Sequence, residues 1–418
     1  MPAVGLTQYT QLMGSHLEIP KRASAGHTMI MTSPLSGGKE REGKGKTMGW
    51  NIQVGGTIRS LTWGTCLLLM PSHGWAQEPT APTLAPEAPT VQTERHLTNI
   101  RQLTFSGKNA EAYFSSSGHQ LVYQSTLEPD GKTQRGCYQI YIMNLEGANV
   151  YRVSTGTGGT TCGYFFPGDR RVLFSSTHIN STLCPPEPPR GERYRWALDD
   201  YDLFTMSLKG WDLQRLTATP GYDAEATISP DGRTIVWTSM RDGDLDIYTM
   251  KLDGTNVKRL TETIGYDGGA FFSPDSKRLV YRANHPATDQ EVKAYQDLLA
   301  KNLVEPSHME LFIMNADGSN QTQITNNGKA NFAPYFLPHG KGVIFASNLS
   351  TPEGHHGPPS FHLYTINDDG TGLEQITFEG HFNSFPMFSP DGTQLVWSSD
   401  RNAAAKGEYN IFLADWVP

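Results

Sequence analysis

Apolar and polar positions alternate in short runs along most of this chain, as in Thr234-Ile235-Val236-Trp237 and Asp246-Ile247-Tyr248-Thr249-Met250. A period of two, with β-branched and aromatic residues concentrated in the runs, predicts strands. Pro-Asp-Gly and Asp-Gly stand between the runs and supply the backbone angles of tight reversals, so the runs pair as hairpins. One unit therefore reads as a four-stranded antiparallel sheet: an apolar run, a turn phrase, a second and a third strand, then Asp-Gly and a fourth strand such as Val257-Lys258-Arg259-Leu260-Thr261.

The unit repeats. The turn phrase occurs at Ile228-Ser229-Pro230-Asp231-Gly232, Phe272-Ser273-Pro274-Asp275-Ser276, Phe336-Leu337-Pro338-His339-Gly340 and Phe388-Ser389-Pro390-Asp391-Gly392, with degenerate copies at Phe114 to Gly118 and Phe166 to Asp169. Six sheets with two apolar faces each bury those faces by packing radially, which predicts an all-β, six-bladed propeller. The fourth-strand signature, an aliphatic residue followed by Thr or Ser, appears first at Leu103-Thr104, ahead of any turn phrase. The chain ends after a third strand at Tyr409 to Leu413. The segment Ile100 to Thr104 is therefore expected to complete the last blade and leave no open edge.

The phrase, the Tyr-x-Met-x-x-Asp-Gly third strand and the Arg-Leu-Thr fourth strand resemble the WD-repeat-like propeller repeats of TolB and its relatives, over about residues 98 to 418. The resemblance implies a propeller fold and a role in the Tol-Pal envelope system. It does not by itself separate binding proteins from the hydrolases and lyases that carry similar propellers.

Upstream, Arg59, the apolar stretch Leu61 to Met70 and Gly74-Trp75-Ala76 have the form of a secretory signal, so residues 1–76 read as an upstream extension and signal (the signal proper about 48–76), cleaved near Ala76. The apolar stretch is too short to span a bilayer, and no membrane-spanning segment is expected in the mature chain. Residues 77–97, rich in Pro and Thr, read as a flexible tether to the propeller at 98–418. The expected location is periplasmic or secreted. The whole chain carries a net charge of -8, and residues 77–418 hold 27 basic against 39 acidic side chains, about -12. That balance excludes nucleic acid as a natural partner. Of Cys137, Cys162 and Cys184, the pairing Cys162 with Cys184 is favoured over three buried thiols, and a monomer is expected.

Long insertions, at about 126–136, 177–199, 284–308, 348–360 and 400–407, all fall on the face that carries the second-to-third strand connections and the blade crossings, which marks the binding face. The insertion near 286–305 is predicted helical, since Thr288-Asp289-Gln290-Glu291 forms a capping box before Val292, Tyr295, Leu299 and Leu303. Aligned inner strands put Asn109, Thr160, Asp223, Asp267, Asn331 and Asn383 in one column, and Glu111, Cys162, Glu225, Gly269, Ala333 and Phe385 two residues on. These columns read either as a mouth ringed by oxygen ligands, with room for a divalent cation, or as side chains that turn the chain into the strand. Arg241, Arg282, His285 and Arg401, with His178, stand at second-strand ends. The arginines read as a clamp for carboxylates or as partners of Asp242, Asp267 or Asp400.

Catalytic signatures are missing: there is no Gly-x-Ser-x-Gly and no His-Glu-x-x-His. The reading is a non-catalytic propeller with no resident cofactor, binding a protein segment or cell-envelope glycan at its mouth. The alternative is a metal-assisted lyase or hydrolase on acidic sugars, drawing on His178, His285 and His381.

Overall fold

A computed structural model describes residues 93–188, 194–209, 212–352 and 354–418. The signal segment, Cys66 and most of the tether lie outside them. The described residues form six four-stranded antiparallel sheets, one short helix and a two-stranded ribbon. Blade 1 runs from Asn109–Phe114 to Tyr151–Arg152, blade 2 from Thr160–Phe165 to Leu213–Arg215, and blade 3 from Asp223–Ile228 to Lys258–Arg259. Blade 4 runs from Tyr266–Phe272 to Thr322–Gln323 and blade 5 from Asn331–Phe336 to Glu374–Gln375. Blade 6 contains Asn383–Phe388, Gln394–Ser399 and Asn410–Trp416, and its outer strand is Leu97–Gln102 from the front of the chain. The closing pairing runs Leu97 opposite Trp416 to Gln102 opposite Phe412.

The repeat signatures have local physical causes. In the turn phrase Ser229 Oγ donates to Asp231 Oδ1 at 2.6 Å and accepts from Thr234 N at 3.0 Å, and Ser273 and Ser389 repeat the bond to Asp275 and Asp391. The Thr or Ser just beyond the short fourth strand accepts a backbone N–H of the third strand, in five blades that of its second residue. Thr217 takes Leu203 N, Thr261 takes Ile247 N, Thr325 takes Leu311 N and Thr377 takes Leu363 N, all at 2.8–2.9 Å. Ser154 takes Ile140 N and Thr104 takes Ile411 N in the same way. The hydroxyl satisfies an amide where the short outer ladder stops, and a buried amide left unpaired is costly. Between the blades the alternating apolar faces close on each other around Trp237, Trp397, Phe204, Phe345 and Phe412.

The N-terminal docking starts upstream of the predicted strand. Glu94 accepts Phe378 N at 2.8 Å and a forked pair of bonds from Arg401 at 2.9 and 3.0 Å, while Arg95 bonds Glu374 at 2.6 Å. An ion pair as buried as Arg401 with Glu94 fixes the register of the closing strand. The helix spans Asp289–Leu299, opened by the Thr288/Glu291 capping box, and it buries Tyr295 and Leu299 against the disc. After it the chain does not stay helical, because Leu303–Val304 pairs with Trp196–Ala197 and so joins the blade 2 and blade 4 insertions.

The expected Cys162 with Cys184 pairing is corrected: Cys184 is bonded to Cys137, and Cys162 is free. The third strand of blade 1, Gln134–Asn144, extends far enough to carry Cys137 up to the proline-rich insertion of blade 2, whereas Cys162 lies on an inner strand.

Two outcomes follow. Peptide mapping after alkylation under non-reducing, denaturing conditions should recover Cys137 and Cys184 as one linked peptide and Cys162 as the alkylated species. Deleting residues through Gln102 should expose the edge of Asn410–Trp416, lower the melting temperature and produce soluble aggregates on size exclusion, because an unpaired inner-blade edge templates association.

Candidate functional site

Two rings of side chains stand where the inner strands begin, and they do different things. In the outer ring, Asn109, Thr160, Asp223, Asp267, Asn331 and Asn383 are at most 2% exposed. Most of their oxygens are taken by their own blade, while Thr160 Oγ1 and the amides of Asn109, Asn331 and Asn383 donate to the preceding blade, and Asp267 Oδ2 has no hydrogen-bond partner among the described residues. Asn109 Oδ1 accepts from Ser125 Oγ at 2.8 Å and Asn331 Oδ1 from Ser347 Oγ at 2.7 Å. Asp223 Oδ1 accepts from Trp237 Nε1 at 2.9 Å, and Asn383 Oδ1 from Trp397 Nε1 at 3.3 Å. His285 Nε2 meets Asp267 Oδ1 at 3.0 Å.

Arg241 and Arg401 belong to this same outer module. Arg241 lies 5.0 Å over the rings of Trp237 and Tyr248 and bonds Ser239 Oγ at 2.9 Å and Asp223 at 3.2 Å. Arg401 lies over Trp397 and Phe412 and bonds Ser399, Asn383 and Glu94. His178 takes the corresponding place in blade 2, bonded to Ser176 Oγ at 2.7 Å and packed on Phe204 at 4.4 Å. The arginines pair structurally, but their partners are Asp223, Glu225 and Glu94 rather than Asp242, Asp267 and Asp400. The reason is local: Asp242 accepts the Tyr248 hydroxyl and Asp400 accepts the backbone N–H groups of His381 and Phe382.

The inner ring is set by a defect. Each of the six inner strands shifts register against its neighbour at one place: Ala110/Tyr113, Thr161/Tyr164, Ala224/Thr227, Gly268/Phe271, Phe332/Tyr335 and Ser384/Met387. Within each shift one residue is left-handed: Glu111, Cys162, Glu225, Gly269, Ala333 and Phe385, with φ between 47° and 61°. A β-bulge bends the strand and re-aims its extra side chain. Five of these six are not glycine, so each position carries strain that the surrounding ladder must hold.

The consequence is convergence. Glu111, Cys162 and Glu225, from three successive blades, interact with one another and with Arg282 from blade 4. Glu225 is the most heavily bonded of them. Its Oε2 accepts from Thr238 Oγ1 and Tyr266 OH at 2.7 Å each and from Gly269 N at 3.1 Å, and its Oε1 pairs with Arg282 Nη2. Arg282 also bonds Tyr266 OH at 2.8 Å and lies over Trp196, Tyr266 and Phe332 at 5.2 to 5.7 Å. Gly269 makes this possible, since a Cβ there would stand only 2.3 Å from Arg282 Nη1. Glu111 accepts from Gln124 Nε2 at 3.4 Å, and Gln124 Oε1 in turn takes Thr161 Oγ1 and Cys162 N. Burial pushes the Glu111 carboxyl up to about 7, with Glu225 adding to the effect and the Cys162 thiol and Arg282 opposing it. Burial likewise pushes the Cys162 thiol up.

The structure thus brings Glu111, Glu225 and Arg282 together and leaves Asn109, Asp223, Asp267, Arg241, His285, Asn331, Asn383 and Arg401 in the outer ring, bonded within their own blade or to the one before it. The sequence reading missed Trp196, which the joined insertions hold against Tyr266 and Phe332 at 6.1 and 5.5 Å. A lone Trp inside a proline-rich insertion was the signal available.

Fold and repeats together define a six-bladed propeller of TolB-like repeats. Residues 180–298 match the PD40 family, described as the TolB beta propeller domain. Dipeptidyl-peptidase 5 of Porphyromonas endodontalis is 30% identical over 92 residues, which are 22% of this chain and 12% of that protein, so the chain spans a small part of that relative's length. Among solved structures, a putative TolB from Agrobacterium tumefaciens is similar with a TM-score of 0.49 and 18% identity, covering 75% of this chain and 91% of that one. TolB from Acinetobacter baumannii has a TM-score of 0.49 and 16% identity, covering 72% and 65%. An oligogalacturonate lyase in complex with manganese has a TM-score of 0.43 and 12% identity, covering 76% and 93%.

Arg282→Ala should destabilise the protein by about 3–5 kcal/mol in urea melts, because it strands the Glu225 carboxylate in a desolvated site. Adding Glu225→Gln should recover most of that loss, and a double-mutant cycle measures the coupling.

Proposed function

We propose that this chain is an exported, non-catalytic propeller of the cell envelope that captures a segment of a partner protein at the loop-rich mouth. The observation that carries the reading is the distribution of exposed apolar side chains. Phe105, Ile179, Leu183 and Tyr194 are 72, 54, 75 and 73% exposed, and all four stand on the face of the insertions and crossings. Exposed apolar side chains on the face of the long insertions fit protein side chains better than sugar hydroxyls.

The centre itself supports binding over chemistry on acidic sugars. Arg282, the cation that reaches the inner ring, is already matched by Glu225 and Tyr266. His178 and His285 are each engaged in their own blade, and among the described residues no group of three or more His, Cys, Asp or Glu side chains is placed to hold a metal ion. The disulfide between Cys137 and Cys184 accords with an oxidising compartment, and no helix of the described residues is long and apolar enough to cross a membrane.

A photo-crosslinking amino acid placed at Tyr194 or Phe105 should yield one dominant protein adduct in intact cells, and the same group at Val257, on the short-turn face, should yield none. Equal labelling from both faces, or none from the mouth, removes the mouth as the binding surface.

A further inference from the structure

Of the two carboxyls that the bulges bring to the axis, one has its own cation and one does not. Glu225 holds Arg282 and three further donors. The bonds to Glu111 come from neutral groups, the Gln124 amide and the Cys162 thiol. Tyr113 faces it from its own strand, Tyr138 from the third strand of blade 1, Tyr201 from blade 2 and Tyr409 from blade 6. Burial pushes all four phenols up, so they remain protonated near neutrality. Glu225 and Arg282 complete the charged groups around Glu111, and as a pair they nearly cancel. Glu111 is half-buried, so part of the residue stays open to the channel.

We propose that Glu111 is a proton switch in the mouth, holding a proton while the mouth is empty and releasing it to solvent when an ammonium or guanidinium group of the captured segment takes a place beside it. This rests on the reading of the mouth as a binding site and adds to it the class of side chain recognised, a lysine or arginine. The same desolvation that raises the carboxyl to about 7 makes an arriving cation stabilise its ionised form. Capture of a basic segment therefore strengthens as pH rises through 7 and levels off above it. Folding follows the opposite course. The folded state binds the proton more tightly than the unfolded chain, so the stability it confers is fully present below the ordinary glutamate range and is lost as pH rises towards and through 7.

The test titrates the Glu carboxyl carbons of selectively labelled protein by NMR and measures trilysine affinity from pH 6 to 8. A glutamate resonance with a midpoint within about one unit of 7, absent from Glu111→Gln, is expected. Trilysine should bind about tenfold tighter at pH 8 than at pH 6 in the wild type and equally at both in Glu111→Gln, with net proton uptake by buffer on binding. Should Glu111→Gln fail to fold, Glu111→Asp and the wild-type resonance alone carry the measurement. A Glu111 midpoint in the ordinary range near 4.5, or trilysine binding that is indifferent to pH, overturns the switch. Absence of any adduct at Tyr194 and Phe105 overturns the binding reading separately, since the titration requires no partner.

Discussion

Everything in this molecule depends on pairing the first described strand with the last. Leu97–Gln102 fills the outer place in the blade that ends at Trp416, and without it the disc has a seam. The seam would not stay local, because each sheet buries its faces only against the next one. The fastening is also more than a backbone ladder. Glu94 and Arg401 form a forked, buried ion pair, and His96 stacks on Trp416 at 5.2 Å. A ladder alone tolerates slippage, whereas a forked pair at one end fixes which residue meets which.

With the ring closed, each blade can carry two opposed features at the same point along its inner strand. The first column, Thr160 apart, ties the strand outward to Ser, Trp, Arg or His in or just beyond the second strand. Two residues later the bulge turns a side chain towards the axis. The outward tie supplies the over-determined surroundings that a left-handed non-glycine residue needs in order to persist. In blades 1 and 3 to 6 the strained position and the buried polar latch occur together: the latch holds the strand on one side of the defect, and the defect delivers the side chain.

The fold was legible because repetition writes it six times over. Ser229-Pro230-Asp231-Gly232 and Leu260-Thr261 each mark a hydrogen bond that the backbone cannot make by itself, so their spacing reports blade number and their offset reports closure. The site was legible only in part. Glu111 and Glu225 were placed by their column, but nothing in a period-two pattern separates a residue at a bulge from its neighbour, and the bulge alone decides which of the two columns faces the axis. Asp223 and Asp267 looked like ligands for the same reason. Arg282 could not be assigned to Glu225 from sequence, since the two are 57 residues apart and on different blades. The disulfide failed on a similar point: strand length on blade 1, not spacing, carries Cys137 to Cys184.

What remains is a mouth with unequal halves. Blades 1 to 3 present Glu111, Cys162 and Glu225, while blades 4 to 6 present Gly269, Ala333 and Phe385 at the equivalent left-handed positions. Six-fold repetition would have given one residue type all round, so each half departs from the repeat in its own direction. Gly269 is explained by its neighbour, since its missing side chain is the space that Arg282 occupies in reaching across to Glu225. Arg282 therefore neutralises one acid from the opposite side of a blade boundary and leaves the other, Glu111, facing a wall of phenols. An axis with one uncompensated acid on one side and apolar side chains on the other has a direction. A segment captured as proposed would satisfy it in one orientation, with its polar or cationic end against blades 1 and 2 and its apolar end against blades 5 and 6, a polarity that a symmetric propeller could not provide.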